Sequence, residues 1–313
     1  MGTLIRTGIT VFFLLTSLLP LAATGGTGLS PPNNISETCN SPLNILLSND
    51  DGFNKPGIVA LQQALSQAKH RVVLAAPAKN ASGSSASITF APVNVEQVEA
   101  NIYAISASPA TSVVLAVSAL YLPGNPPDLV ISGINKGANL GPATGISGTV
   151  GATTAAIQVI NPPIPAIAIS TDPLGPNFSE KQNTEHLQRI SAFIVKLVDR
   201  LLQERCKNGE LLPKGLALNI NYPPLPPEKI KGIVMKEQGQ APYFKIAYAP
   251  SKDDDKIYLP IFKTQSVTND IAQSDTLAYR QGFITIVPLD GNYTRKGPEM
   301  KTLLEPLIVN IQP

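Results

Sequence analysis

Tryptophan is absent from this 313-residue chain, and histidine occurs only as His70 and His186. Neither histidine is expected near the polar loops described below, so a histidine phosphatase or a Ser-His-Asp hydrolase is poorly served. Acidic and basic residues nearly cancel, leaving a net charge of +2 and no bulk field for nucleic acid or an anionic membrane. A small metabolite matches better. Aromatic residues are also scarce. Ala, Val, Ile and Leu carry the apolar content, as in long α/β-sheet strands covered by helices. No G-x-G-x-x-G follows the first apolar run, which disfavours a dinucleotide cofactor. Cysteine is limited to Cys39 and Cys206. In an oxidising compartment that pair permits, without requiring, one disulfide stapling the amino terminus to the end of a long helix.

What is present begins with a targeting pattern. Residues 1–25 read as a signal peptide: Arg6, an apolar stretch from Val11 to Leu21 that is short for a membrane span, then Ala22, Ala23 and Gly25. Residues 26–42, rich in Gly, Thr, Ser, Pro and Asn, read as a flexible lead-in. The expectation is an exported protein, periplasmic or secreted, with no stable membrane association after cleavage. Asn-x-Ser/Thr triplets at Asn34, Asn80, Asn177 and Asn292 would suit glycosylation on a eukaryotic route.

From residue 43 to about 222, apolar runs alternate with helical patterns. Strands are expected at 43–48, 71–76, 102–106, 129–131, 166–170 and 216–220. Helices are expected after Pro56, and over 109–121, 148–160 and 183–207. This alternation predicts an α/β fold with a mostly parallel sheet and right-handed crossovers. Over 223–313 prolines cluster, and short runs near 230–236, 243–249, 256–262 and 283–287 predict hairpins projecting from the core, the last returning to it. Such hairpins suit pairing with another subunit.

The strongest chemical clue is Asn49-Asp50-Asp51-Gly52, two adjacent carboxylates where a strand ends before a helix. Ligands of open α/β sheets bind at that edge. Two carboxylates would repel a phosphate unless a cation lies between. Three further segments are expected at the same edge: Asn80-Ala81-Ser82-Gly83-Ser84, Ser132-Gly133-Ile134-Asn135, and Asn139-Leu140-Gly141 leading to Ser147-Gly148-Thr149. They add amide and hydroxyl oxygens and permissive glycine backbone. Hard oxygens of this kind suit Mg²⁺, Mn²⁺ or Ca²⁺. Taken singly each segment reads as an ordinary turn or, for Ser147, a helix cap; their combination is what points to a site.

Together these motifs resemble the SurE family of metal-dependent phosphatases, over roughly residues 43–290. The matching residues are Leu46 to Gly52 with Pro56-Gly57-Ile58, Ala76-Pro77 with Asn80 and Ser82-Gly83, Ser132 to Asn135, Gly137, Asn139-Leu140-Gly141, Ser147 to Val150, and Gly282 to Leu289. The resemblance implies a 5′/3′-nucleotidase with a Rossmann-like three-layer α/β/α core and swapped carboxyl-terminal arms in a homodimer or homotetramer. It implies a domain spanning 43–313, with its core at about 43–222 and its arm beyond. One divalent ion per subunit, Mg²⁺ or Mn²⁺ with Ca²⁺ as a resting occupant, would be held by Asp50, Asp51, Ser82 and Asn135. Asn139, Ser147, Gly148 and Thr149 would line the phosphate pocket. Asp50 or Asp51 would orient or deprotonate the attacking water, and nucleotides rather than duplex nucleic acid would be the partners.

Four positions depart from the family pattern. Thr111 and Ser112 stand where Asp and Cys are usual, Ala155 replaces a frequent Glu, and Ala138 replaces a Pro. None belongs to the implied ligand set, so altered support or substrate choice is the expected cost. Lys136 reads as solvated. The competing expectation is a metal- and nucleotide-binding protein with weak or lost turnover. An aspartyl-phosphate enzyme fits less well, because its acidic pair is separated by one residue.

Overall fold

The computed structural model describes residues 41–294 and 297–308. The expected signal peptide, most of the lead-in and Cys39 lie outside the described residues. Cys206 is disulfide-bonded.

Six parallel-sheet strands follow the predicted runs closely. They are β1 (Asn44–Ser48), β2 (Arg71–Pro77), β4 (Ile102–Ile105), β5 (Leu129–Lys136), β6 (Ala166–Thr171) and β7 (Ala217–Asn221). Three more complete the main sheet: β3 (Val95–Glu99), β8 (Gly232–Met235) and β11 (Phe283–Leu289). The order is β3-β4-β2-β1-β5-β6-β7-β11-β8, parallel except at β3–β4 and β7–β11. β3 went unread because all five of its residues are exposed, so no apolar alternation marks it.

Helices cover both faces. Helices α1 (Pro56–Gln67) and α4 (Glu180–Asn208) lie on one side, α2 (Pro109–Leu115) and α3 (Gly148–Gln158) on the other. Alternation along β1 sends Ile45 and Leu47 to the first layer and Leu46 to the second. This is the three-layer α/β/α arrangement expected. Helix α4 starts at Glu180, three residues before the predicted 183, because Ser179 and Gln182 form a capping box. It ends at Gly209, whose φ of 83° suits a helix stop.

One predicted helix keeps its extent but changes type, and one predicted loop is corrected. Helix α2 gives way to a π-turn at Ala116–Leu120. Ser132–Asn135, expected as a loop, lies inside β5, which runs on to Lys136 with irregular pairing to β6 between Ser132 and Asn135.

In the carboxyl-terminal region β9 (Phe244–Pro250) and β10 (Tyr258–Thr264) pair as a separate antiparallel hairpin, exposing Tyr248, Tyr258 and Phe262. β11 returns to the main sheet as expected, and β8, expected in a projecting hairpin, extends that sheet beside it. The short helix α5 (Asp275–Arg280) precedes β11, and α6 (Pro298–Ile308) follows it. Among the described residues no helix is long and apolar enough to cross a membrane.

Candidate active site

From β1 the chain winds outward through β2 and β4, then returns to place β5 on the opposite flank of β1. The β1/β5 boundary is therefore the topological switch point, where strand ends splay and leave a crevice. Asp50 and Asp51 follow β1. Asn135 and Lys136 end β5.

The Lys136 N–H donates to Asp51 Oδ2 at 3.0 Å, tying the two strand ends together. Thr149 Oγ1 donates to Asp50 Oδ1 at 2.6 Å. The first-turn amides of α3, from Gly148 and Thr149, also favour the Asp50 anion. Burial nevertheless raises the Asp50 carboxyl above its usual range, those hydrogen bonds opposing it. Asp51 is raised too, first by burial, with the Asp50 charge adding and the Lys136 and Lys55 charges opposing. A cation between the two would relieve both strains.

The loop after β2 reaches the pair through its backbone, Ala81 N–H donating to the Asp50 carbonyl at 2.7 Å. Ser82 follows on the exposed part of this loop, its N–H bonded to Asn80 Oδ1. Ser84 Oγ is buried without a hydrogen-bond partner. A Cβ placed on Gly148 would lie 2.6 Å from that oxygen and 2.9 Å from Asp50 Oδ2. Only a glycine leaves this space open.

These donors fit a hard divalent ion. Asn135 spends Nδ2 on the Gly137 carbonyl at 2.7 Å, which leaves Oδ1 as the side-chain atom that could ligate an ion. Asp51 spends Oδ2 on Lys136, leaving Oδ1. Among the described residues no cluster of three His, Cys, Asp or Glu side chains could hold a metal, so such an ion would rely on two carboxylates and neutral oxygens.

The expected phosphate contacts divide. Gly148 and Thr149 lie against Asp50, whereas Ser147 Oγ caps α3 by accepting from Val150 N–H at 3.1 Å. Asn139 is built into a buried network. Its Nδ2 donates to Ser170 Oγ, and its carbonyl accepts from the side chains of Asn219 and Asn221. Asp275, buried within α5, accepts from Gly141 and Gly239 N–H and anchors the following loop to the carboxyl-terminal region.

A cavity of about 560 Å³ opens beside Asp51 and Asn135. Its wall includes His186, which corrects the expectation that neither histidine approaches the site. It stands in the second turn of α4, where Thr171 Oγ1 meets its Nε2 at 2.9 Å. Burial, with the Arg189 charge adding, pushes His186 down to about 4, so it is neutral at ordinary pH. Lys55, Asp172, Glu180 and Asn183 also line the cavity and were missed. Glu180 and Asn183 stand three apart at a helix start, the one signal that could have flagged them. Lys136 is exposed, as expected, and also lines this cavity. A larger cavity, about 670 Å³ between α3 and β11, does not include either carboxylate.

The departures from family pattern have local explanations. Thr111 Oγ1 accepts from Thr89 N–H at 2.7 Å and pairs with Ser108 Oγ, while Ala155 packs in the core against the sheet.

Residues 45–245 match the family described as Survival protein SurE. The 5′-nucleotidase SurE of Geobacter sulfurreducens is 33% identical over 250 residues, covering 79% of this chain and 87% of that protein. That of Clostridium botulinum strain Alaska E43 is 32% identical over 273 residues, 84% of this chain and all of its own. The crystal structure of the SurE protein from Aquifex aeolicus superposes with a TM-score of 0.66 at 30% identity, covering 84% of this chain and 99% of that one. The chain belongs to the SurE family.

Proposed function

We propose that this protein is an exported, divalent-metal-dependent phosphomonoesterase acting on nucleoside monophosphates. The carrying observation is the meeting, at the β1/β5 switch point, of two desolvated carboxylates, the Asn135 amide and the Ser82 loop, beside a cavity edged by Lys55 and Lys136. The name 5′-nucleotidase borne by the relatives supports the substrate class. Asp50, Asp51, Ser82 and Asn135 would hold the ion, with Mg²⁺ or Mn²⁺ the expected occupant.

When bound, the ion would polarise a phosphoryl oxygen and lower the pKa of a water. The chain's own groups do the rest. Thr149 fixes the Asp50 rotamer, and the Lys136 N–H fixes Asp51. Lys55 and Lys136 bring positive charge to the phosphate oxygens. Of the two carboxylates Asp51 is the one lining the cavity, which supports giving it the proton of the attacking water.

Purified protein with Mn²⁺ should release phosphate from nucleotides, and Asp50→Asn should abolish release. Activity indifferent to that change and to chelator would overturn the reading. The targeting pattern of residues 1–25 supports export, checked by sequencing the amino terminus of protein recovered outside the cytoplasm. The exposed apolar side chains of β9 and β10 support a homodimer or homotetramer, checked by light scattering.

A further inference from the structure

The 560 Å³ cavity falls within the roughly 300–1,000 Å³ of small-molecule sites and far exceeds what a phosphate requires. Its ends differ chemically. Asp51, Lys55, Asn135 and Lys136 form one end, with two ammonium groups and two of the candidate ion ligands. The other is the first two turns of α4 and the loop entering it, which present Leu174, Glu180, Asn183 and Leu187. A carboxylate at that second end repels phosphate, so a substrate lies with its anion toward Lys55 and Lys136.

Resting on the nucleotidase reading, we infer that the α4 wall is the nucleoside subsite. Glu180 and Asn183 bind the ribose hydroxyls, and Leu174 and Leu187 bear on the base. Spacings of three and four residues put Glu180, Asn183 and Leu187 on one helix face. A carboxylate is acceptor-only, and the Asn183 amide, whose Nδ2 gives one hydrogen to the Ser179 carbonyl at 3.3 Å, keeps its second N–H and its Oδ1, which matches a vicinal diol. Among the described residues the Glu180 carboxylate makes no ion pair, and it is the backbone carbonyl of Glu180, not the carboxylate, that accepts from Thr184 Oγ1 at 3.0 Å. His186 adds a second sign of a built site: it is 2% exposed, and its Nδ1 lacks a hydrogen-bond partner. The wall is held in place. Asp172 Oδ2 accepts from Tyr243 at 2.6 Å and Tyr279 at 3.1 Å, and its Oδ1 from the Ala138 N–H. The entry to the loop is thereby fixed to the rest of the site.

The test compares AMP, 2′-deoxy-AMP and 4-nitrophenyl phosphate as substrates of the full enzyme with Mn²⁺, in wild type, Glu180→Gln and Asn183→Ala. Equilibrium dialysis of AMP gives an activity-independent readout. The ratio of kcat/KM for AMP to that for nitrophenyl phosphate should fall by about tenfold in either variant, the scale of one lost hydrogen bond to a charged or polar partner. The fall should lie in KM, and AMP affinity in dialysis should fall in step. Wild type should prefer AMP to its deoxy analogue, and Glu180→Gln should erase that preference. An unchanged ratio in both variants, with wild type turning over AMP, overturns the subsite alone. A wild type releasing phosphate from nitrophenyl phosphate but from no nucleotide overturns both readings.

Discussion

Replacing Gly148 by Ala adds one methyl group at the centre of the proposed site. Its Cβ would lie 2.6 Å from Ser84 Oγ, 2.8 Å from Asp50 Cβ and 2.9 Å from Asp50 Oδ2, where ordinary contact begins at 3.4 Å. Asp50 must therefore yield by about 0.6 Å or Ala must displace the head of α3 by a similar amount. Rotation is no escape, because Thr149 holds Oδ1 at 2.6 Å. Stability should fall modestly. Gly148 has no left-handed φ, so Ala gains up to ~1 kcal/mol of helix propensity against ~1–3 kcal/mol of overpacking. Activity should change far more, since a misplacement approaching 1 Å in a catalytic constellation costs on the order of 100-fold. Steady-state kinetics on AMP, paired with urea unfolding, separate the two. Adding Ser84→Ala removes the hydroxyl contact but not those to Asp50. The double variant should regain stability without regaining rate. A Gly148→Ala enzyme within twofold of wild type would refute the claim that Asp50 geometry limits the reaction.

Three further outcomes follow from the geometry. Saturating Mn²⁺ should raise the thermal midpoint of wild type, an ion at a hundred times its Kd contributing about 2.7 kcal/mol; Asp51→Asn should lose most of that shift, as calorimetric scanning would show. His186 is neutral in the fold down to about 4 but takes a proton near 6.5 when unfolded, so its stabilising effect is complete above pH 6.5 and fades as pH falls toward 4. The loss reaches about 3 kcal/mol, and urea midpoints of wild type and His186→Asn between pH 7.5 and 4 should converge; a constant gap would refute it. Gly151→Ala would drive a Cβ into the Ser85 carbonyl, a backbone atom that cannot step aside, so destabilisation by about 3 kcal/mol or more is expected in chemical unfolding.

Much of this was legible before the fold was known, because strand interiors and phosphate-friendly loops leave different marks. Ile45 and Leu47 on one face of β1, with Leu46 on the other, read as a buried strand because a parallel sheet demands apolar residues on both sides. Asp50 and Asp51 stood out because charge rarely follows such a run without a task. Other positions left no mark. Asn139 and Asn221 look like turn and strand-end residues, yet they are buried partners across 82 positions of sequence. Glu180 and Asn183 look like the polar face of any exposed helix, since only tertiary packing brings α4 to the cavity. Ser132–Asn135 was misplaced into a loop because Ser, Gly and Asn are turn-forming residues. Pairing of β5 to β1 and β6 overrode that preference.

The site draws on segments that each perform a structural task, and this explains why polar loops so short can hold two buried charges. The Asp50 carbonyl receives the β2 loop and its carboxylate receives the α3 helix end, so the residue is fixed from backbone and side chain alike. Asp51 is held by the backbone of β5, which cannot move without unpairing from β1 at Ser48 and Ser132. Neither carboxylate therefore needs an arginine or lysine ion pair for its geometry, and among the described residues neither has one. A lysine salt bridge would have neutralised the site and spent the field that a divalent ion requires. Backbone amides and one hydroxyl orient the two acids without a direct ion pair, which is the condition for drawing a cation, and through it a phosphate, to the switch point.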